Sequence, residues 1–253
     1  MKKLFIVTSA INISNEYPLT YSPIRSMFSA EQRLQQTIGT INSITLATKQ
    51  EDTDIWLVDA SDNYQDYLYF FTAYPNVHFV AVKEHFPEIH QQTITHPNKS
   101  YCESLILSNV LLKYYQSIAF YDYVFKLSGR YFVDHTFDLS TLESTPDKIF
   151  VKHPMVHEWQ DSWIQDLVDL RQEQGNNLLY QYSSVLFAWG KKYQLYFRDH
   201  FTAIAAMINQ PTMTQYSLET LNYYFTRSYH ADIIETDWCV TGWDGSNGNF
   251  LRY

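Results

Sequence analysis

Apolar runs that read as strands alternate with helix-patterned segments through the first half of this chain, and that alternation limits its possible folds more than any other feature. Leu4–Val7, Asp54–Val58, Val77–Val82 and Tyr123–Leu127 are short, rich in β-branched and aromatic residues and bounded by turn residues, which predicts four strands. Between the first two, Ser29 can cap a helix with Glu31 in its first turn and Leu34, Ile38, Ile41 and Ile44 at roughly helical spacing. A second helix is expected over Tyr101–Gln116. Such a succession needs crossover connections, and so predicts an α/β fold: a mixed, mostly parallel sheet flanked by helices. Residues 8–28 and 83–100 read as polar loops. The second half is less regular. Strands are expected over Lys148–Lys152, Tyr182–Trp189 and Asp232–Thr236, helices over Ser162–Glu173, Lys192–Ile208 and Leu218–Ser228, and a Gly-rich tail follows. No repeat or linker interrupts the 253 residues, so a single domain is expected, with a first part over about 1–135 and a second over about 136–253.

The most informative strand is the fourth. Tyr123, Val124 and Phe125 favour a buried strand, Ser128 and Gly129 break it, and Arg130 is left at its carboxyl end. In open α/β sheets ligands bind at that edge. A guanidinium there suits an anion such as a diphosphate, because it stays charged and presents a planar fork of donors. A surface Arg paired with a neighbouring carboxylate has the same sequence signature.

Composition removes several classes. At 45% hydrophobic and 18% charged residues the chain is no disordered segment. A net charge of −9 without a basic stripe argues against nucleic-acid binding. Cys102 and Cys239 lie far apart with no zinc spacing, which suits a reducing compartment and a cytoplasmic location. The opening Met-Lys-Lys-Leu-Phe-Ile-Val stops at Thr8, too soon for a signal peptide, and no apolar run is long enough to span a bilayer. Twenty-one tyrosines suit a surface that stacks on sugars or bases, or an ordinary core with a wet rim.

The order of elements, the helix text Glu31-Gln32-Arg33-Leu34-Gln35-Gln36-Thr37, the loop-helix Asn98-Lys99-Ser100-Tyr101-Cys102-Glu103 and the segment Lys126-Leu127-Ser128-Gly129-Arg130-Tyr131 resemble the GT-A glycosyltransferases, the nucleotide-diphospho-sugar transferase fold. The likeness is diffuse and spans nearly the whole chain. It is strongest to bacterial and large-virus enzymes that build lipopolysaccharide, capsule and other surface glycans. In most such folds the corresponding strand ends in Asp-x-Asp, which holds a divalent metal against the donor diphosphate; here Ser128-Gly129-Arg130 stands in that place. Asp52-Thr53-Asp54 has the letters but precedes the second strand, at the opposite edge. The resemblance therefore implies a hexosyl- or pentosyltransferase that needs no divalent metal or other cofactor. It would take a nucleotide-sugar donor and a glycan or lipid-linked acceptor, with peripheral membrane association possible. A non-catalytic nucleotide- or carbohydrate-binding protein of the same fold is the alternative. A nucleotidyltransferase is disfavoured because no Gly-rich, Lys-bearing loop follows the first strand.

On this resemblance the donor side comprises Thr8, Arg25, Asp59, Lys99, Glu103, Ser128 and Arg130. Thr8 and Ser9 offer hydroxyls, Tyr17 or Tyr21 can stack on a base, and Arg25 or Lys99 can assist Arg130. Asp59 can bond a ribose, or its own turn backbone. Asn98-Lys99-Ser100 precedes a helix whose N-terminus favours an anion, Ser100 being a cap on the plainer reading. Glu103 can bond sugar hydroxyls or complement the helix dipole. His157, Trp159 and Trp163 are expected on the acceptor side; His153 and His157 lack the spacing of a metal site. Transfer with inversion needs a base. Glu219 is the first choice, though Ser217 can cap a helix that Glu219 only stabilises, and Asp237 the second, with Asp244 and Glu158 behind them.

Overall fold

The computed structural model describes residues 1–158, 178–214, 216–245 and 247–252. Its first half runs β1 (Lys3–Ser9), α1 (Ala30–Thr48), β2 (Thr53–Asp59), α2 (Gln65–Phe71), β3 (Val77–Ala81), α3 (Val82–His85), α4 (Pro87–Thr95), α5 (Lys99–Lys113), α6 (Tyr115–Ile118) and β4 (Tyr123–Ser128). Then come β5 (Tyr131–Val133), α7 (Ser140–Ser144), β6 (Ile149–Lys152), β7 (Met155–Glu158), β8 (Leu178–Gln181) and β9 (Leu186–Gly190). The chain continues through α8 (Gln194–Ile208), α9 (Leu218–Thr226), β10 (Ile233–Thr236), β11 (Val240–Trp243) and β12 (Phe250–Arg252).

Seven strands form the central sheet in the order β10-β6-β9-β4-β1-β2-β3. All run parallel except β9, which is antiparallel to both neighbours. The central parallel strands β1, β2 and β4 are buried almost throughout because helices cover both faces. One face carries Leu4, Ile6, Val58 and Val124 against α5 and α8; the other carries Phe5, Leu57, Phe125 and Leu127 against α1. The expected Ser29 cap is present, with a full capping box through Gln32. No helix among the described residues is long and apolar enough to cross a membrane.

Two expectations need correction, and the tail gains definition. Residues 83–100 are largely helical: Pro87 opens α4, and its polar residues hide their helical role because His90 and Thr93 are buried with internal hydrogen-bond partners. Tyr182–Trp189 is not one strand, since β8 ends at Gln181 and β9 begins at Leu186. The Gly-rich tail is structured, with β11 and β12 joining β5 in a small antiparallel sheet. The helix expected over Ser162–Glu173 lies outside the described residues.

Candidate functional site

The carboxyl ends of β1 and β4 and the N-terminus of α5 meet at one cleft, formed by two adjoining cavities. The first, about 160 Å³, is walled by Thr8, Ala10, Ile13, Arg33, Val58, Ile94, Lys99, Glu103, Ser128 and Arg130 among others. The second, about 320 Å³, takes in Tyr21, Ser184, Tyr216, Ser217, Glu219 and Asp244. Lys99, Glu103, Ser128 and Arg130 line both and stand where the two meet.

Backbone packing places Arg130. Gly129 donates its N–H to the Thr8 carbonyl at 2.8 Å, and a Cβ on Gly129 would lie 3.1 Å from that oxygen. From the tail, the Trp243 carbonyl accepts from Arg130 Nε at 3.2 Å. Gly242 and Gly245 allow the approach; a Cβ on Gly242 would come 2.2 Å from the Arg130 carbonyl. The tail thus braces the strand end.

The cap of α5 is Asn98, not Ser100: its side chain accepts from the Tyr101 N–H at 3.1 Å and donates to the Thr214 and Tyr216 carbonyls. Lys99 therefore begins the helix at the cleft. Glu103, a quarter exposed, accepts from Thr8 Oγ1 at 2.7 Å and pairs with Lys126 Nζ at 2.7 Å. Burial pushes the Glu103 carboxyl up, but Lys126, Thr8 and Arg130 together outweigh it and hold the group below the usual glutamate range.

Cations crowd the cleft. Burial, and then neighbouring Arg130, push Arg33 down to about 9; burial, Arg130 and Arg33 push Lys99 down to about 8. Burial is the larger cause in each case and the mutual repulsion of these cations the next. Arg33 was not singled out from sequence. It sits on the buried face of α1 with Thr37, Ile41 and Ile44, four- and three-residue spacings that mark it as inward-facing.

The expected residues divide. Thr8, Lys99, Glu103, Ser128, Arg130 and Glu219 all line the cleft. Arg25 also borders it, but its guanidinium is spent on backbone, donating to the Tyr17, Thr93 and His96 carbonyls, so it clamps the loop after β1. Asp59 is fully buried and accepts from the Ile11 and Ser61 N–H groups at 3.0 and 2.9 Å. It organises the loop and does not face the cavity. Tyr17 lines neither cavity, while Tyr21 borders the second. Asp237 is not brought in: its side chain is 98% exposed and lies 3.4 Å from His153, which also meets Glu235 at 2.6 Å. Asp244 does line the second cavity. His157 lies on β7, opposite Leu179 of β8. Trp159 and Trp163 lie outside the described residues. Asp52 and Asp54 stand at the amino edge, bound to the chain terminus and to Tyr121.

No protein-family profile and no curated protein sequence matches the chain. Solved structures do. Core-mannan synthase A from Aspergillus fumigatus, in its Mn/GDP form, aligns with a TM-score of 0.52 at 9% identity over 95% of this chain and 74% of that one. Mouse xyloside xylosyltransferase 1 aligns at 0.45 and 11% identity over 93% and 84% of the two chains. Galactosyltransferase LgtC, with donor and acceptor sugar analogues, aligns at 0.40 and 12% over 94% and 68%. The fold is of GT-A type.

A divalent cation, common at this sheet edge in the GT-A fold, does not suit the residues found here. β4 ends in Ser128, Gly129 and Arg130, Glu103 already holds an ammonium group, and Arg33, Lys99 and Arg130 line the same walls. Among the described residues no group of three or more His, Cys, Asp or Glu is placed to hold a metal.

Proposed function

We propose that this chain is a glycosyltransferase that moves a sugar from a nucleoside-diphosphate donor to a hydroxyl of a glycan or lipid-linked acceptor, without a divalent metal. One observation carries the reading: Arg33, Lys99 and Arg130 converge on a cleft at the carboxyl edge of a parallel sheet, in a chain whose net charge is −9. Such a concentration of mutually repelling, partly buried cations is stabilised by a polyanion, and a diphosphate matches it in charge and size. The first cavity, with apolar walls from Ile13, Val58 and Ile94, suits a nucleobase and ribose. The second, with Glu219, Asp244 and the serine hydroxyls, suits sugar rings.

In the step itself the bond from the anomeric carbon to the diphosphate oxygen breaks, its electron pair leaving with the phosphate. Arg130 and Lys99 stabilise the charge that develops there, where a guanidinium or ammonium acts as a metal ion does elsewhere. The acceptor oxygen bonds to the anomeric carbon and its proton passes to the Glu219 carboxylate. Glu219 stands at the first turn of α9 and accepts from Ser184 Oγ, which aims one of its oxygens and leaves the other for an acceptor hydroxyl. Surface-polysaccharide or lipopolysaccharide synthesis at a membrane face is the setting we assign to it, following the sequence resemblance.

A thermal-shift panel of nucleoside diphosphates and nucleotide sugars tests the donor, since ligands that bind only the folded state raise its melting temperature. The selected nucleotide sugar should then be hydrolysed slowly without acceptor, and equally in chelator. Binding without hydrolysis or transfer would identify a binding protein of this fold. Activity lost in chelator and restored by manganese or magnesium would defeat the metal-free reading.

A further inference from the structure

Within the apolar run of β4 stands a lysine that is 0% exposed. Lys126 pairs in register with Ile6 of β1 and Phe187 of β9, and it shares a sheet face with Val124, beneath α5. A branched aliphatic residue would fill such a position. Burying an ammonium group there costs desolvation that an ion pair recovers incompletely, so the fold alone gives no reason for lysine.

The Lys126 ammonium has three donors, and three partners accept from it: Glu103 Oε1 at 2.7 Å, Ser128 Oγ at 2.8 Å and the Ser184 carbonyl. These belong to α5, the end of β4 and the segment before β9. The chain of bonds extends at both ends. Thr8 Oγ1 donates to Glu103 at 2.7 Å, and Ser184 Oγ donates to Glu219 Oε1. Thr8, Glu103, Ser128, Ser184 and Glu219 each line one or both cavities, whereas Lys126, at the centre, lines neither.

We infer that Lys126 is a positioning residue that ties donor-facing Glu103 to the acceptor-facing Ser184–Glu219 pair, holding the two halves of the cleft in one geometry. This rests on the glycosyltransferase reading for the roles of Glu103 and Glu219. Without the ammonium, Glu103 loses its counter-charge and the Ser184 backbone its anchor, so Glu219 is no longer aimed. Arg33, Lys99 and Arg130 are untouched, so the diphosphate site persists.

A double-mutant cycle tests this with wild type, Lys126→Met, Glu219→Gln and the two combined, each measured for melting temperature, UDP and GDP affinity, and kcat with the donor selected by the panel. Lys126→Met should keep nucleoside-diphosphate affinity and lose on the order of 100-fold in kcat, the scale of a catalytic group misplaced by about 1 Å. Added to Glu219→Gln it should cost little more, because it acts through that residue. If Lys126→Met alone fails to fold, the cycle is run with Lys126→Gln in its place, which removes the charge and keeps a side-chain donor toward Glu103. Undiminished kcat, losses that multiply independently, or a parallel loss of affinity, stability and kcat would each overturn the inference. A wild-type protein that neither binds a nucleoside diphosphate nor cleaves any nucleotide sugar would overturn the functional reading first, and this inference with it.

Discussion

At the amino edge of the central sheet Asp232 meets Lys148 at 2.7 Å, Lys192 at 3.2 Å and the Tyr193 hydroxyl, while Asp54 accepts from Tyr121 at 2.6 Å and Asp52 faces the terminal amine at 3.7 Å. At the carboxyl edge of the same sheet the balance is different. Arg33 donates to the Ala10 carbonyl and Ser26 hydroxyl, Arg130 to the Trp243 carbonyl, and no ion pair joins either to a carboxylate among the described residues. Glu219 accepts from a serine, not a cation. One edge matches each acid with a donor and stabilises itself. The other pairs Glu103 with Lys126 but also brings Arg33, Lys99 and Arg130 close enough to disfavour one another's charge.

Substitutions at the two edges should therefore separate turnover from stability. Glu219→Gln keeps shape and removes the proton acceptor; turnover should fall roughly 10²–10⁴-fold with nucleoside-diphosphate affinity unchanged, as steady-state kinetics and calorimetry would show. If turnover survives, the base is another acid of the second cavity, Asp244 foremost, or the reaction retains the anomeric configuration, which NMR of the product anomer decides. Arg130→Ala should cost about 2–4 kcal/mol of transition-state stabilisation, and Arg130→Lys a substantial part of that, because a point charge lacks the bidentate fork. Wild-type kinetics in a folded Arg130→Ala protein would erase the contrast between the edges.

The pH dependence sharpens the comparison further. The Lys99 ammonium, held down to about 8 by burial and by Arg130, loses its proton within a range that most lysines do not reach. Nucleoside-diphosphate affinity should fall as pH rises through about 8, and Lys99→Met should flatten that limb. For the unliganded protein the sign reverses. A lysine with a depressed folded-state pKa opposes folding while protonated, so this cost disappears as pH rises from about 8 toward 10.5. The smallest effect belongs to the amino edge. The Asp232 carboxyl, held well below its usual range first by Lys148 and then by Tyr193 and Lys192, contributes stability above the ordinary aspartate pKa that is lost as pH falls through its own. Asp232→Asn should lower the melting temperature slightly at neutral pH and leave turnover unaltered; a change in turnover would show that the two edges are coupled.

Much of this architecture is legible in the sequence. The Ser29 cap, the β1, β2 and β4 strands and the abrupt stop at Ser128-Gly129-Arg130 lie where periodicity and turn chemistry put them, because those signals act between residues a few positions apart. Arg130 stands out in the sequence by its place at a strand end, and that place borders the cleft. Lys126 is a lone charge between Phe125 and Leu127, a visible signal, but the strand pattern around it does not disclose a partner 23 positions earlier in the chain. Asp237 followed a strand as an active-site acid would, yet β10 is the outermost strand of the sheet and its end is remote from the cleft walls. Asp59 and Arg25 carry groups suited to a donor site, and in both cases the backbone takes up those groups.

By itself the sequence determined the succession β1, α1, β2, β3, α5 and β4, the parallel character of those strands and the edge where Arg130 stands, since each follows from local spacing and from the crossover that links parallel strands. Only the tertiary structure decided which charged groups are consumed by the fold and which face the cleft. Thr8, Arg33, Glu103, Lys126, Ser184 and Glu219 come together through the packing of α1, α5 and α9 against the sheet, and contacts between residues so far apart in the chain leave no periodic trace along it.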